Sequence, residues 1–239
     1  MATLINQKAL ITGATKGMGL AIAEKLASLG CHLLLAARDR RALDALKTTL
    51  EQEHPTIQVQ CLACDFSDSA ELKRLIQWME HTAPDLDILI NNVGIFRPVS
   101  LFEESEEDFE LQMLINYHTP HLLSRAAGRN MQKNHKGHIF NISSIASRKP
   151  VASAATYTVT KYAVMGLTHV LREALRPYGV KVTEIIPGST LTSSWEGTTV
   201  AADRFVLPTD IADAIASCLQ MSDGANVDEI VVTPKFGNI

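Results

Sequence analysis

Tyr157 and Lys161 stand four residues apart in Tyr157-Thr158-Val159-Thr160-Lys161, early in a stretch that reads as a helix. Side chains at i and i+4 share a helix face, so an ammonium is set beside a phenol. The positive charge favours the phenolate and draws its pKa down from about 10. A phenol tuned in this way can give a proton to a ketone being reduced, or take one from an alcohol being oxidised. Such a spacing alone is commonly a helix-surface pair, and its meaning comes from its company. Thirteen residues before Tyr157, the run Gly137 to Ser144 ends in the hydroxyls of Ser143 and Ser144. Strand side chains alternate, so one hydroxyl faces away, and the spacing to Tyr157 selects Ser144.

A second group could hold a phosphate. Thr12-Gly13-Ala14-Thr15-Lys16-Gly17-Met18-Gly19 joins an apolar strand to an amphipathic helix. Its glycines follow GxxxGxG, whereas the common dinucleotide pattern is GxGxxG and a P-loop needs GxxxxGK[S/T]. The physics is shared: without Cβ atoms the backbone turns sharply and approaches a pyrophosphate, whose charge meets the free N–H groups of the helix start. Taken alone, the turn is also compatible with a plain tight connection between strand and helix. At the end of the second strand, where Asp or Glu would bind a ribose 2'-hydroxyl, the chain has Ala36-Ala37-Arg38. A cation there suits a 2'-phosphate, and Lys16 offers a second charge, which points to NADP(H). The alternative is that both cations are merely solvated and Asp39 serves the ribose, but Asp39 reads better as the cap of the next helix.

These residues are carried by alternating elements. Strands are expected at Lys8 to Thr12, His32 to Ala37, Ile57 to Ala63, Asp87 to Asn91, His138 to Ser143, Lys181 to Ile186 and Glu229 to Thr233. Between them fall helices at Gly17 to Leu29, Asp39 to Glu53, Ser69 to His81, one long helix from about Ser105 to Gln132, Ala155 to Pro177 and Thr209 to Met221. Runs such as Leu33-Leu34-Leu35 are apolar without alternation, as strands covered on both faces require. The predicted fold is α/β: a doubly wound, seven-stranded parallel sheet in a single Rossmann domain spanning 1–239. The acidic run Glu103 to Asp108 falls where the long helix begins and suits its positive dipole end.

Composition narrows the function classes. The 239 residues are 46% hydrophobic and 20% charged, with a formal net charge of -4, so a sizeable core can form and no basic footprint for nucleic acid exists. No apolar run approaches the ~20 residues of a membrane span and the N-terminus lacks a signal-peptide pattern, so no membrane partner and a cytoplasmic location are expected. Cys61 and Cys64 have CxxC spacing but no second pair, and read as core thiols. His118 and His121 share a helix face without a third ligand, so no metal is predicted.

In order and spacing, Thr12-Gly13-x-x-x-Gly17-x-Gly19, Asp65, Asn91-Asn92-Val93-Gly94, Asn116, Ser144, Tyr157-x-x-x-Lys161 and Pro187-Gly188 resemble the classical short-chain dehydrogenase/reductase family over nearly the whole chain. The resemblance implies Tyr157 as acid/base, Ser144 holding the substrate oxygen and Lys161 binding the nicotinamide ribose while lowering the phenol pKa. Asn116 would help hold a water in a proton relay. The implied cofactor site comprises Gly13, Thr15, Lys16, Gly17, Met18, Gly19, Arg38, Asp65, Phe66, Asn91, Gly94, Tyr157, Lys161, Pro187, Gly188, Thr190 and Thr192, with Asp65 on the adenine. Here NNVG stands for the usual NNAG, and Thr190 for a commoner aliphatic residue. A substrate loop at about 189–207, including Trp195, would be short.

The implied activity is NADPH-dependent reduction of a ketone or aldehyde to an alcohol, reversibly, on a small-molecule substrate. The alternatives are a 3-oxoacyl-(acyl carrier protein) reductase-like enzyme and a non-catalytic dinucleotide sensor. The tail Glu229 to Pro234 lacks the glycine-rich ending of the former, and a sensor need not keep Tyr157 or Lys161. A sugar-nucleotide epimerase of the extended branch would carry a larger C-terminal part. The resemblance also implies a homodimer or homotetramer, through apolar residues such as Leu111, Leu114, Ile115, Val164, Leu167 and Leu171.

Overall fold

A computed structural model describes residues 4–239, so the first three residues of the predicted domain lie outside the described residues. Seven parallel strands form one sheet in the order β3-β2-β1-β4-β5-β6-β7. They are β1 (Lys8–Thr12), β2 (His32–Ala37), β3 (Val59–Ala63), β4 (Ile88–Asn91), β5 (His138–Ile142), β6 (Lys181–Pro187) and β7 (Glu229–Val232). The sheet order reverses between β1 and β4, which opens a crevice at the carboxyl ends of those strands, where ligands of such sheets bind.

The helices are α1 (Gly17–Ser28), α2 (Arg40–Glu53), α3 (Ser69–Thr82), α4 (Glu106–Met113), α5 (Thr119–Asn134), α6 (Ala155–Leu175) and α7 (Pro208–Leu219). One apolar core, with Ile11, Ile22, Leu35 and Ile215, lies under α1, α2 and α7; the other, with Leu10, Leu75, Leu89 and Leu123, lies under α3, α5 and α6. Each central strand feeds both cores with alternate residues, hence the unbroken apolar runs. Asp39 caps α2 by accepting from Ala42 N at 3.0 Å, as expected.

The long helix expected from Ser105 to Gln132 departs from its prediction. Ser105 does begin it, accepting from Asp108 N at 3.1 Å. At Leu114–His118, however, the helix widens into a π-turn, and α5 resumes at Thr119. Pro120 supplies the physical reason: it has no N–H for the carbonyl four residues back, at Asn116, so the regular ladder cannot continue. Thr119 compensates by donating from both its N–H and its hydroxyl to the Leu114 carbonyl.

Candidate active site

The phosphate cradle is built by glycine geometry. Gly13 (φ +67°) and Gly17 (φ +55°) both adopt the left-handed conformation. A Cβ on Gly19 would strike the Gly13 carbonyl and come within 2.6 Å of Asn92 Nδ2. Asn92 ties the turn to the end of β4, donating from Nδ2 to the carbonyls of Thr12 (2.8 Å) and Gly13 (3.2 Å). Thr12 Oγ1 accepts from the N–H groups of Asn92 and Val93 at 3.0 Å each. Neither Thr12 nor Asn92 was assigned a role from sequence; the doubled asparagine was the available signal.

The cradle fits an anionic dinucleotide. No side chain caps α1 and no acidic residue stands in its first turn, which leaves the positive helix end to an outside anion. Lys16 and Arg38 are exposed, and neither makes an ion pair among the described residues. Thr15 and Met18 sit half-buried in the same turn. Thr192 crosses over it, its methyl 3.3 Å from where a Gly17 Cβ would lie. The segment holding Thr192 leaves β6 after Pro187. Gly188 is crowded there by Asn238 and Pro234, and Thr190, buried, donates to the Gly188 carbonyl at 3.0 Å. Trp195 packs edge-on against Phe205 at 4.9 Å, which pins the short loop.

Two predicted cofactor residues, Asn91 and Phe66, are placed differently from what their side chains suggested. Asn91 is buried, and its Nδ2 donates inward to Ser124 Oγ and Asn141 Oδ1 at 2.8 Å each. Phe66 is part of the core, so it can present only backbone. Asp65 is exposed but accepts from Ser67 N and Oγ, bonds that hold its carboxyl below the usual range, with Arg38 adding a smaller pull. Gly94 is where expected: a Cβ there would lie 3.4 Å from Asn116 Oδ1 and 3.8 Å from Lys161 Nζ.

The residues expected to handle a proton come together at the carboxyl end of β5. Ser143 is buried and Ser144 partly exposed, as strand alternation requires; Ser144 Oγ accepts from Ala146 N at 3.2 Å and starts a tight turn. Tyr157 and Lys161 share the inner face of α6, and the ring of Phe96 meets that of Tyr157 edge-on at 4.9 Å. The expected downward pull of Lys161 on the phenol is not the dominant effect. Burial pushes the Tyr157 phenol up, and a hydrogen bond with Ser144 draws it partly back. Lys161 Nζ lies 5.5 Å from the ring centroid and donates to the Ile142 carbonyl at 3.1 Å. Burial lowers the ammonium itself to about 8, opposed by the charge of Glu184.

Asn116, carried by the π-turn, is buried and clamps the chain after Gly94. Its Oδ1 accepts from Ile95 N at 2.8 Å, and its Nδ2 donates to the Ile95 carbonyl at 3.0 Å and to Thr160 Oγ1 at 3.3 Å. Elsewhere, His169, Glu184 and Glu229 bring ligand atoms within 4.8 Å of one another, but the Arg148 guanidinium already pairs with both carboxylates. Cys31, Cys61, Cys64 and Cys218 are free thiols, and burial pushes Cys61 and Cys64 up to about 11 and 12.

Comparison with known proteins agrees with this geometry. A sepiapterin reductase of Chlorobaculum tepidum is 31% identical over 236 residues, covering 96% of this chain and 97% of that protein. A metagenomic short-chain oxidoreductase in complex with NADP superposes with a TM-score of 0.84 at 32% identity, covering 97% and 98% of the two chains. A short-chain dehydrogenase of Sphingobium yanoikuyae in complex with NADPH gives 0.85 at 27% identity, covering 94% and 87%. Residues 7–201 match the profile of the short chain dehydrogenases, and with the glycine turn, Ser144, Tyr157 and Lys161 gathered at one sheet edge, the chain belongs to the short-chain dehydrogenase/reductase family of oxidoreductases.

Proposed function

We propose that the protein is a cytoplasmic NADPH-dependent reductase of a small ketone or aldehyde, with Tyr157 as the acid/base. One observation carries this reading: the Ser144–Tyr157 hydroxyl pair stands beside buried Lys161, at the same sheet edge as a glycine cradle flanked by two unpaired cations. Gly13, Gly17, Gly19 and the start of α1 would hold the pyrophosphate, Arg38 and Lys16 the 2'-phosphate, and Lys161 the nicotinamide ribose. NADPH, when bound, supplies the hydride. Ser144 and Tyr157 grip the carbonyl oxygen with two hydroxyls, and Tyr157 passes its proton to that oxygen as charge builds there. The phenolate left behind is stabilised by Ser144 and by the Lys161 ammonium. Burial of Tyr157 favours its protonated phenol, the form that reduction needs.

The residues 189–207 form the short substrate loop over this cleft, with Phe96 on the facing wall. Four free thiols among the described residues fit a reducing compartment, and no described helix is long and apolar enough to cross a membrane. Following NADPH absorbance against a panel of ketones and aldehydes tests the reading. Turnover of at least one carbonyl is expected; tight NADPH binding with no turnover across the panel would favour a sensor instead. The same reading includes a homodimer or homotetramer.

A further inference from the structure

One buried carboxylate under the site has no part in the scheme above. Strand register aligns Asn91 of β4 with Asn141 of β5, Asn141 with Glu184 of β6, and Glu184 with Glu229 of β7. Paired residues of neighbouring strands point to the same face of a sheet. That face is the one covered by α5 and α6, because Asn91 bonds Ser124 of α5 and Asn141 bonds Thr168 of α6. A polar row therefore crosses four strands beneath the helix that carries Tyr157 and Lys161. Glu184, the charged member of its interior, has no exposed surface. A charge so placed must be compensated by its neighbours.

Those neighbours belong to the turn that Ser144 begins. Arg148 donates from a terminal nitrogen to Glu184 Oε2 at 3.2 Å and reaches Glu229 Oε1 at 2.7 Å. Its other terminal nitrogen lies 2.8 Å from Met165 Sδ on α6. Ser147 Oγ donates to the Ser144 carbonyl at 2.8 Å, with Glu184 Oε1 a longer second acceptor at 3.4 Å. On the side of α6, Lys161 is fully buried with no carboxylate in ion-pair reach among the described residues, and Glu184 is the carboxylate whose field acts on it. The charged and titratable groups bearing on this pair are thus Arg148 from the turn, Glu229 from β7, and His169 and Tyr157 from α6. His169 pairs with Glu229 at 3.3 Å, and its ring nitrogen lies within 4.8 Å of a Glu184 oxygen as well.

We infer that Glu184 is a positioning residue for catalysis: through Arg148 and Ser147 it fixes the turn that presents Ser144, and it sets a buried negative charge beneath the helix that carries Lys161. The inference rests on the proposed roles of Ser144 and Lys161. A buried ion pair by itself says little about stability, and replacing one by neutral groups is often tolerated. The pairing is therefore tested on Lys161 rather than on the melting point.

The test follows the Lys161 ε-carbon by NMR on protein carrying labelled lysine, with Lys161→Met to assign the signal. In Glu184→Gln the Lys161 titration midpoint is expected to fall by about half to one pH unit, because the opposing charge is gone. The alkaline limb of carbonyl reduction should move down with it, and turnover at pH 6 should fall as well, because the turn that presents Ser144 loses its anchor. Glu184→Asp, which keeps the charge, should restore the wild-type midpoint. If Glu184→Gln does not fold, Arg148→Gln removes the neutralising guanidinium instead, and the midpoint must then rise. A Lys161 midpoint that stays put in these variants overturns the inference whether or not the wild type reduces carbonyls. A midpoint that moves in a protein without reductase activity supports the pairing and contradicts the proposed function alone.

Discussion

In the proposed function, Arg38 is the residue on which cofactor choice turns. It follows β2, exposed and without an ion pair among the described residues, and its planar fork matches a phosphate, while Lys16 adds a point charge from the glycine turn. Together they are worth about 2 to 4 kcal/mol, or about 30- to 1000-fold in favour of NADPH over NADH. Arg38→Asp is expected to reverse the order, since a carboxylate repels the 2'-phosphate and accepts from ribose hydroxyls. Values of kcat/KM for both cofactors check this, and a wild type that prefers NADH would make Asp39 the ribose ligand. At this scale the sequence was legible where chemistry is carried by residue type and spacing: Tyr157, Lys161, Ser144 and the three glycines all lie at the site. It was less legible where the same side chain can turn either way. Asn91 faces inward and Asn92 braces the turn, a distinction set by strand alternation at a strand end that residue types do not fix. The direction of the Tyr157 shift was hidden too, because burial depends on the packing of Phe96 and of the residues around α6.

At the scale of elements, periodicity located all seven strands but ran α4 and α5 together, passing over the π-turn at Leu114–His118 and the short 3-10 turns. One residue of widening barely disturbs an apolar stripe, so the pattern continues across it; Pro120, four residues past Asn116, was the usable signal. Strand β5 holds a different feature. His138 is buried, stacks on Phe140 at 3.9 Å and pairs through Nε2 with Thr183 Oγ1 at 2.7 Å. Thr183 donates its own proton to the Val227 carbonyl, so the imidazole Nε2 is the donor to Thr183. Burial, helped by Lys181, lowers His138 from 6.5 to about 3. The unfolded chain therefore binds a proton that the folded chain refuses between those values. Stability should fall as pH drops from about 6.5 towards about 3, by about 1.4 kcal/mol per unit within that window. Urea midpoints from pH 7.5 down to 4.5 measure it, and His138→Phe should show a shallower acid slope; equal slopes in both proteins would remove His138 as the cause.

Across the whole molecule, part of the apolar surface left over by folding falls on α4 and α6, beside exposed residues elsewhere such as Leu101, Phe102 and Phe236; of the residues expected there, Leu114 and Leu167 are partly exposed and the others face inward. Ile115 and Val164 are buried in the chain's own core, and Leu111 and Leu171 pack against it. Phe109 (45% exposed), Val159 (53%), Tyr162 (37%) and Val170 (67%) remain at the surface instead. On α6 the last three recur at helical spacing around Gly166, whose position is open to close approach. A two-fold pairing of copies across this face would bury them, and light scattering at micromolar concentration should give a dimer or tetramer mass; a monomer mass contradicts the assembly. The proposed function requires Tyr157 to give a proton while the glycine cradle, Arg38 and Lys161 hold NADPH. The most direct measurement is therefore kcat and the NADPH dissociation constant together, for the wild type and Tyr157→Phe on the same carbonyl substrate. Turnover is expected to drop by about 10²- to 10⁴-fold with cofactor affinity within a few-fold of the wild type. Near-normal turnover in Tyr157→Phe would contradict the mechanism at its centre.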